Sequence, residues 1–515
     1  MKLLESYLAG RWQRGSGEPT PLVNPTTDET LAGASSEGLD LAEALRHGRD
    51  VGGPALRALS FAERAAALKA MSQVIHAERE TLIEMGVSNA GNTRGDAKFD
   101  IDGATATLAA YAHFAKRLPE TPFLPDGAGI KLGQSPRFHG QHVRVPRRGV
   151  ALHINAFNFP AWGMMEKAAC ALLAGMPVLE KPGTPTALMA EHIAKVVVAS
   201  GVLPEGAFQF LAGGAGDLLD HVEAQDVIAF TGSSGTAQRL RAHRAVVERG
   251  ARINVEADSL NAVVLGADVD TDAEVFGMFV REVVREMTQK TGQKCTATRR
   301  IMVPEPLVDE VLEALTEGLG AIAVGDPSDS AYRMGPLTNR AQLESVQGGI
   351  ARLAEHADVV CGGSKSLFDK GAFIAPTLLR AHDANTEVFH ADEVFGPVAS
   401  VLPYDGSAAE AARLVARGGG SLVTSVFSDD RKLPLDLALE LAPWSGRVYL
   451  GSSKVAETAT GAGLVLPAMT HGGPGRAGGG EELGGLRGLE LYSQRTAIQG
   501  FKALVEGTFG EAEAG

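Results

Sequence analysis

From about residue 150 onward, short apolar runs alternate with helical segments along the chain. VALHIN (150–155) is an apolar run of strand length. WGMMEKAACALLAG (162–175) reads as a helix ended by Gly175, and PVLEKP (177–182) as a second strand. A helix over 185–201, with Pro at its start and Gly at its end, leads into AFQFLAG. A short helix from Asp217, DVIAFTGS, a helix from Gly235 and ARINVEA follow. This β-α-β-α-β-α-β order predicts a parallel sheet covered by helices on both faces. A second alternating block starts at NAVVLG (261–266). It continues through a helix at 272–289, RRIMVP (299–304), helices near 307–319 and 340–356, VASVLPY (398–404), SLVTSVF (421–427) and VYLG (448–451). The expected fold class is therefore α/β, two doubly wound α/β domains meeting near residues 256–262. Residues 60–90 carry apolar positions at helical spacing and predict a long amphipathic helix or a helical pair. The stretches 126–148 and 490 onward fit neither sheet. ELYSQRTAIQ (490–499) alternates like a strand with no obvious partner, and is expected to complete a neighbouring subunit's sheet or to fray.

Composition narrows the class. Of 515 residues, 44% are hydrophobic and 21% charged, the balance of a folded chain with ample length for a large core. The net charge of −14 argues against nucleic acid as a partner. The apolar stretch AACALLAGMPVL is too short for a bilayer, which needs about 20 residues. The N-terminus meets Glu5 before an apolar run develops, so no signal peptide and a cytoplasmic location are expected. The three cysteines, Cys170, Cys295 and Cys361, form no CxxC pair, and the 13 histidines show no paired ligand spacing, so no metal is called for.

A doubly wound sheet binds ligands beyond the carboxyl ends of its strands. After VALHIN comes Asn158, after PVLEK the cation Lys181, after VIAF the small-residue loop TGSSG, and after RINV the carboxylate Glu256. TGSSG is neither a GxGxxG nor a P-loop; a helix cap and a phosphate-approaching turn are both open. Cys170 lies on an apolar helix face and Cys361 in a Val-Val-Cys strand, where a cysteine is an inert hydrophobe. Cys295 instead lies in polar TGQKCTATRR beside cationic Lys294, a setting for a nucleophilic thiolate. Glu256, following an apolar strand, is expected to be partly buried with a raised pKa suited to a general base. The cluster Arg144, Arg147 and Arg148 reads as a solvated face, with a contact to a CoA phosphate as the rarer alternative.

In order, the segments NPTT, FNFP, KP, FTGS, VEADSLN, QKCTATRR and EVFGPV resemble the aldehyde dehydrogenase superfamily from about residue 20 to about residue 498. The resemblance implies that Cys295 attacks an aldehyde, that its backbone N–H and the Asn158 amide hold the oxyanion, and that Glu256 activates the water that hydrolyses the thioester. It implies a nicotinamide cofactor held by Lys181 (adenosine ribose), Gly232 and Ser233 (pyrophosphate) and Glu393 (nicotinamide ribose). Phe395 packs beside that ribose and Phe157 lines the site. It further implies a cofactor-binding domain from 1–125 and 149–257, a catalytic domain from 258–489, and an oligomerisation element and tail from 126–148 and 490–515. A homodimer or dimer of dimers follows from the same resemblance.

The departures are informative. VEADSLN lacks the Gly-Gly pair common after the glutamate, and the interval from Glu256 to Cys295, 295 − 256 = 39, is longer than usual. Thr184 stands where many NAD-preferring members carry Glu; a threonine does not repel a 2′-phosphate, so NADP is expected over NAD. SSEGLDL (35–41), NVEADSLN (254–261), VREMTQKTGQKCTA (284–297) and HGGPGRAGGGEELGGLR (471–487) resemble a branch acting on CoA-linked semialdehydes of aerobic aromatic-acid breakdown. The implied substrate is 3,4-dehydroadipyl-CoA semialdehyde or similar. The phenylacetate-pathway 3-oxo-5,6-dehydrosuberyl-CoA semialdehyde, a CoA-acylating reaction and a non-catalytic structural homologue are the alternatives. The chain ends at 515, so a stand-alone dehydrogenase without an appended hydratase domain is expected. The Gly-rich stretch 471–487 reads either as a flexible surface loop or as a shaped loop near the substrate entrance.

Overall fold

The computed structural model describes residues 2–510; the end of the expected tail, 511–515, lies outside the described residues. Five strands form a parallel sheet in the spatial order Arg252–Glu256, Val227–Thr231, Ala151–Ile154, Val178–Lys181 and Phe208–Phe210. A hairpin from the N-terminus, Ser6–Leu8 with Arg11–Gln13, extends it antiparallel at one edge. Strand order reverses between Ala151–Ile154 and Val227–Thr231, and a crevice opens outside the carboxyl ends of strands at such a switch point.

Alternation along these strands feeds two cores. Ala151, Val178 and Val227 pack on one face with the helices Phe61–Ala77, Arg94–Phe114 and Trp162–Ala174. Leu152, Leu179 and Ile228 pack on the other. With both faces covered, each strand reads as a continuous apolar run. The 60–90 stretch is a pair of helices, Phe61–Ala77 and Arg79–Ala90, started by a capping box between Ser60 and Glu63.

The second seven-stranded sheet runs Ala357–Cys361, Thr377–Ala381, Val398–Tyr404, Arg300–Pro304, Ala262–Leu265, Ser421–Phe427 and Ser445–Gly451. All neighbours are parallel except the first pair. Val263 and Val264 again point into opposite cores. Both sheets and their helices match the expected α/β class.

The terminal strand departs from expectation. Ser493–Phe501 pairs antiparallel with Phe138–Pro146 of its own chain, from Ser493↔Pro146 to Phe501↔Phe138, and Leu124–Pro125 and Ile130–Lys131 complete a small separate sheet. Its partner was hidden because 138–146 (FHGQHVRVP) is too polar to read as a buried strand. Of the arginine cluster only Arg148 is exposed; the other two are not a free solvated face. Arg144 pairs with Asp126 at 2.5 Å and Glu490 at 2.6 Å, and buried Arg147 donates to the carbonyls of Ala224 and Gln225 and to Gln494. Among the described residues no helix is long and apolar enough to cross a membrane.

Candidate active site

The crevice at the switch point is lined by Asn155, Asn158, Phe159, Trp162, Glu166, Lys167, Glu256, Cys295 and His471, among others. The first sheet contributes Asn158, four residues beyond Ala151–Ile154, and Glu256, the last residue of its own strand. The second sheet contributes from the opposite end: Cys295 precedes Arg300–Pro304, and Glu393 precedes Val398–Tyr404.

Cys295 sits in a forced turn. After the helix Glu274–Thr288, residues Lys290, Thr291 and Gly292 take left-handed φ values of 52°, 55° and 66°. For non-glycine residues such values cost about 1–3 kcal/mol each and persist only where surroundings impose them. Here Thr291 Oγ1 donates to the Gly335 carbonyl at 3.0 Å, and Arg299 donates to the carbonyls of Gly396, Gly292 and Lys294. A Cβ on Gly292 would meet the Gly396 oxygen at 2.3 Å, which makes glycine obligatory. Asn261 fixes the far side of the loop, donating from Nδ2 to the Cys295 carbonyl at 2.8 Å and to the Ala297 carbonyl at 2.9 Å. Asn158 is held in place by its own donation to the Gln293 carbonyl at 3.0 Å.

The electrostatics correct two expectations. Lys294, read as the cation beside the thiol, is buried and committed to Glu286 at 2.8 Å and to Gln289 at 2.8 Å. The basic group that faces Cys295 is His471, with Nε2 3.9 Å from Sγ. Glu256 is buried as expected but its pKa is lowered, not raised. Burial pushes the carboxyl up, and His471, at 3.1 Å, with Lys167 outweighs that and holds it down. Burial likewise lowers the His471 imidazole, and the Glu256 charge more than compensates, so its pKa rises. Burial and then the Glu256 charge push the Cys295 thiol well above its ordinary value. Lys167 lies between Glu482 at 3.2 Å and Glu166 at 3.4 Å, and Asn254 donates to the other Glu482 oxygen. Burial lifts Glu166 to about 7 against the opposing charge of Lys167.

Beside the crevice runs a groove of roughly 510 Å³, lined by Phe157, Gly183, Gly232, Ser233, Asp258, Glu393 and Phe395, that also reaches Asn158, Glu256 and Cys295. Phe157 and Phe395 meet edge to face at 5.9 Å. Burial raises Glu393 to about 7, against Arg299, which lowers it. Lys181 and Thr184 flank Gly183, but neither stands among the groove's lining residues. The Lys181 ammonium turns back onto the Pro182 carbonyl at 2.8 Å, and burial lowers its pKa to about 8. In the TGSSG turn, Gly232 N–H goes to the Glu256 carbonyl and Ser234 N–H to Asp258. The turn thus offers fewer free backbone donors than the resemblance implies.

Sequence reasoning missed His471, Lys167, Glu166, Glu482 and Asp258. Lys167 and Glu166 lie inside a helix that reads as plain core. His471 opens the Gly-rich stretch, which proves to be a shaped segment packed along the Glu256 strand. A Cβ on Gly478 would strike the Val255 oxygen at 2.1 Å, and Gly480 N–H donates to that same oxygen. A lone histidine at the head of a glycine run that must approach another backbone was the available signal.

Comparison with known proteins agrees with this geometry. The family model described as "Aldehyde dehydrogenase family" matches residues 12–498. The chain is 44% identical over 478 residues to 3,4-dehydroadipyl-CoA semialdehyde dehydrogenase of Aromatoleum evansii, covering 92% of this chain and 93% of that protein. It is 43% identical over 169 residues to Protein MaoC of Klebsiella aerogenes, 32% of this chain and 50% of that one. Its fold superposes on 3,6-anhydro-L-galactose dehydrogenase in complex with NAP with a TM-score of 0.85 at 24% identity, over 97% of this chain and all of that one (100%). The crevice, the forced cysteine turn and these likenesses lead to one conclusion: the chain belongs to the aldehyde dehydrogenase family.

Proposed function

We propose that this enzyme oxidises a CoA-linked semialdehyde of the 3,4-dehydroadipyl type to the carboxylic acid through a thioester on Cys295, with NADP preferred over NAD. The observation that carries the substrate reading is the 44% identity, across nearly the whole length of both chains, to a dehydrogenase named for that substrate. The groove's small residues Gly183 and Gly232, its aromatic pair and the buried Glu393 fit a dinucleotide reaching from the TGSSG turn to the thiol. When bound, a nicotinamide cofactor supplies the hydride acceptor.

The chain's own residues do the rest. The Cys295 thiolate adds to the aldehyde carbon. Asn158 Nδ2, with the backbone N–H of Cys295, donates to the developing oxyanion, a contribution of about 3–4 kcal/mol per donor. After oxidation, Glu256 takes a proton from water as that water attacks the thioester, and the acid leaves. A bound cofactor would be held by Gly232 and Ser233 at its phosphates, Lys181 at its adenosine ribose and Glu393 at its nicotinamide ribose, with Phe395 and Phe157 alongside. Thr184 leaves room for a 2′-phosphate. Aromatic-acid breakdown in the cytoplasm, by a homodimer or dimer of dimers, is the setting this reading implies.

The test measures cofactor reduction with 3,4-dehydroadipyl-CoA semialdehyde against the same aldehyde without CoA, each with NADP and with NAD. Preference for the CoA-linked aldehyde with NADP is expected. Equal turnover of the free aldehyde overturns the substrate reading, and a kcat/KM ratio of NADP over NAD below one overturns the cofactor reading. Glu256→Gln is expected to stop turnover, with at most one burst of reduced cofactor; sustained turnover in that variant points to resolution of the thioester by free CoA.

A further inference from the structure

His471 touches both reactive groups of the site with a single nitrogen. Nε2 is 3.9 Å from Cys295 Sγ and 3.1 Å from Glu256 Oε2, and the three donor atoms all lie within 4.8 Å of one another. The side chain is 2% exposed, and its other nitrogen, Nδ1, is buried without a hydrogen-bond partner. In a nucleophile–histidine–carboxylate relay the carboxylate sits on the nitrogen opposite the nucleophile. That arrangement is excluded here, because both partners face Nε2. An N–H at Nδ1 would be a buried donor without an acceptor, so the neutral ring keeps its hydrogen on Nε2.

We propose that His471 is a third catalytic residue whose Nε2 hydrogen serves two anionic sites in turn, the Glu256 carboxylate while Cys295 is a thiol and the Cys295 thiolate once Glu256 has taken its proton. The inference rests on the proposed roles of Cys295 and Glu256. In the activating step the S–H bond of Cys295 breaks and an O–H bond forms on Glu256. The imidazole neither gains nor loses a proton, and its donor hydrogen moves from Oε2 to Sγ. Glu256 gives that proton up to solvent before hydrolysis, and the same donor meets the sulphur again when the thioester collapses and the thiolate leaves, while Glu256 carries the proton then taken from water. One hydrogen suffices because the two sites are not anionic together in either step.

The surroundings hold the ring for this task. His471 lies on the strand Thr470–Gly472, opposite Glu482 in an antiparallel pair, and Glu482 is anchored by Lys167 and Asn254. The charged groups facing it are Glu256 from the first sheet, Glu166 and Lys167 from the helix Trp162–Ala174, Glu482 across the pair, and Arg447 from the strand Ser445–Gly451. Three carboxylates, Glu256, Glu166 and Glu393, oppose the ionisation of the thiol. A donor that can turn to the sulphur answers that opposition locally.

The test is the pH dependence of Cys295 alkylation by iodoacetamide, which needs neither aldehyde nor cofactor and so stands apart from the substrate reading. It compares wild type, His471→Phe and His471→Gln, with thiolate ultraviolet absorbance of wild type against Cys295→Ser as a second measurement if a variant does not fold. His471→Phe removes the donor and is expected to move the alkylation profile at least one pH unit upward and to lower kcat/KM about 100-fold or more. His471→Gln keeps an N–H donor without titrating and is expected to recover a large part of both losses. An alkylation profile unchanged in His471→Phe overturns the proposal, as does a Gln variant as impaired as Phe, since a donor role and a base role then part. If His471→Phe does not fold, a thiolate band in His471→Gln that rises well above the pH at which it rises in wild type overturns it too.

Discussion

The two seven-stranded sheets present opposite ends to one crevice. The first sheet offers the carboxyl ends of its strands, carrying Asn158, Thr231 and Glu256. The second offers its amino ends, through Asn261, Cys295 and Glu393, each of which comes before a strand. The difference divides the labour. Carboxyl ends at a switch point make a groove for an extended ligand. Amino ends are reached by chain that has just left a helix or a turn, and such chain can be wound into the left-handed run that aims a thiol. Cys295, the proposed nucleophile, thus sits where backbone strain is available, and Asn158, the proposed oxyanion donor, in the loop just beyond a regular parallel strand.

That contrast predicts different failures when each side is cut. Asn158→Ala removes the proposed first-sheet oxyanion donor and is expected to lower kcat about 100- to 1000-fold. Thiol alkylation is expected to slow less than when more of the cysteine turn is cut, because only the Gln293 carbonyl of that turn loses its donor. Stopped-flow and steady-state rates beside an alkylation time course check both halves. Asn261→Ala cuts the second-sheet side. It leaves the buried carbonyls of Cys295 and Ala297 without their donor, and Ser259 Oγ and the Val423 N–H without their acceptor. A stability loss of about 2–4 kcal/mol is expected from denaturant melts, with slowed alkylation. If Asn261→Ala alkylates at the wild-type rate, the strained turn holds itself and the division of labour fails.

The same contrast explains what the sequence made legible. The first sheet announced itself because VALHIN, PVLEK, VIAF and RINV are apolar runs and their carboxyl ends are where a doubly wound sheet keeps its ligands. Asn158, Lys181 and Glu256 were found by that rule. Cys295 was found by its polar neighbours, but for the wrong cation, since i,i+1 adjacency of Lys294 says nothing about where a long side chain turns. Glu393 and Phe395 needed the family resemblance, because no rule directs attention to residues ahead of a strand. His471 was lost in a glycine run that composition alone reads as mobile, although those glycines are there to let one backbone approach another. The pairing of 138–146 with 493–501 joins segments far apart in sequence, and only the second of them alternates legibly.

Where the two sheets meet, Glu256 and His471 form a pair whose pH dependence can be assigned a sign. Glu256 is held below its ordinary value of 4.5, so its contribution is present above about that pH and is lost as pH falls through the lower folded value. His471 is held above its ordinary 6.5, so its contribution is present below that pH and is lost as pH rises through the higher folded value. Their mutual stabilisation is therefore greatest between pH 4.5 and 6.5. The difference in Tm between wild type and His471→Phe is expected to peak in that window and to shrink on both sides. A difference that grows steadily toward alkaline pH contradicts the pairing.

Asp258 gives the smallest effect and the sharpest question, because it lies on the segment that crosses from one sheet to the other. Its carboxylate accepts from Ser234 N–H at 2.9 Å and Ser234 Oγ at 2.6 Å, capping the helix Ser234–Arg241 at the turn where a cofactor's phosphates are proposed to lie. The cap and the cofactor therefore compete for one helix end. Asp258→Asn keeps the shape and an acceptor while removing the charge. Loss of the charge–dipole contact is expected to cost about 0.5–1 kcal/mol of stability. Removal of a negative charge from a partly screened groove is expected to lower the KM for NADP severalfold, on the order of 1 kcal/mol at these separations. The gain should fade as salt rises, since screening removes only the electrostatic part. A KM that instead rises, with or without salt, would mean that the carboxylate holds the turn in its binding shape, and that the first sheet's groove depends on the crossing segment as much as the cysteine turn does.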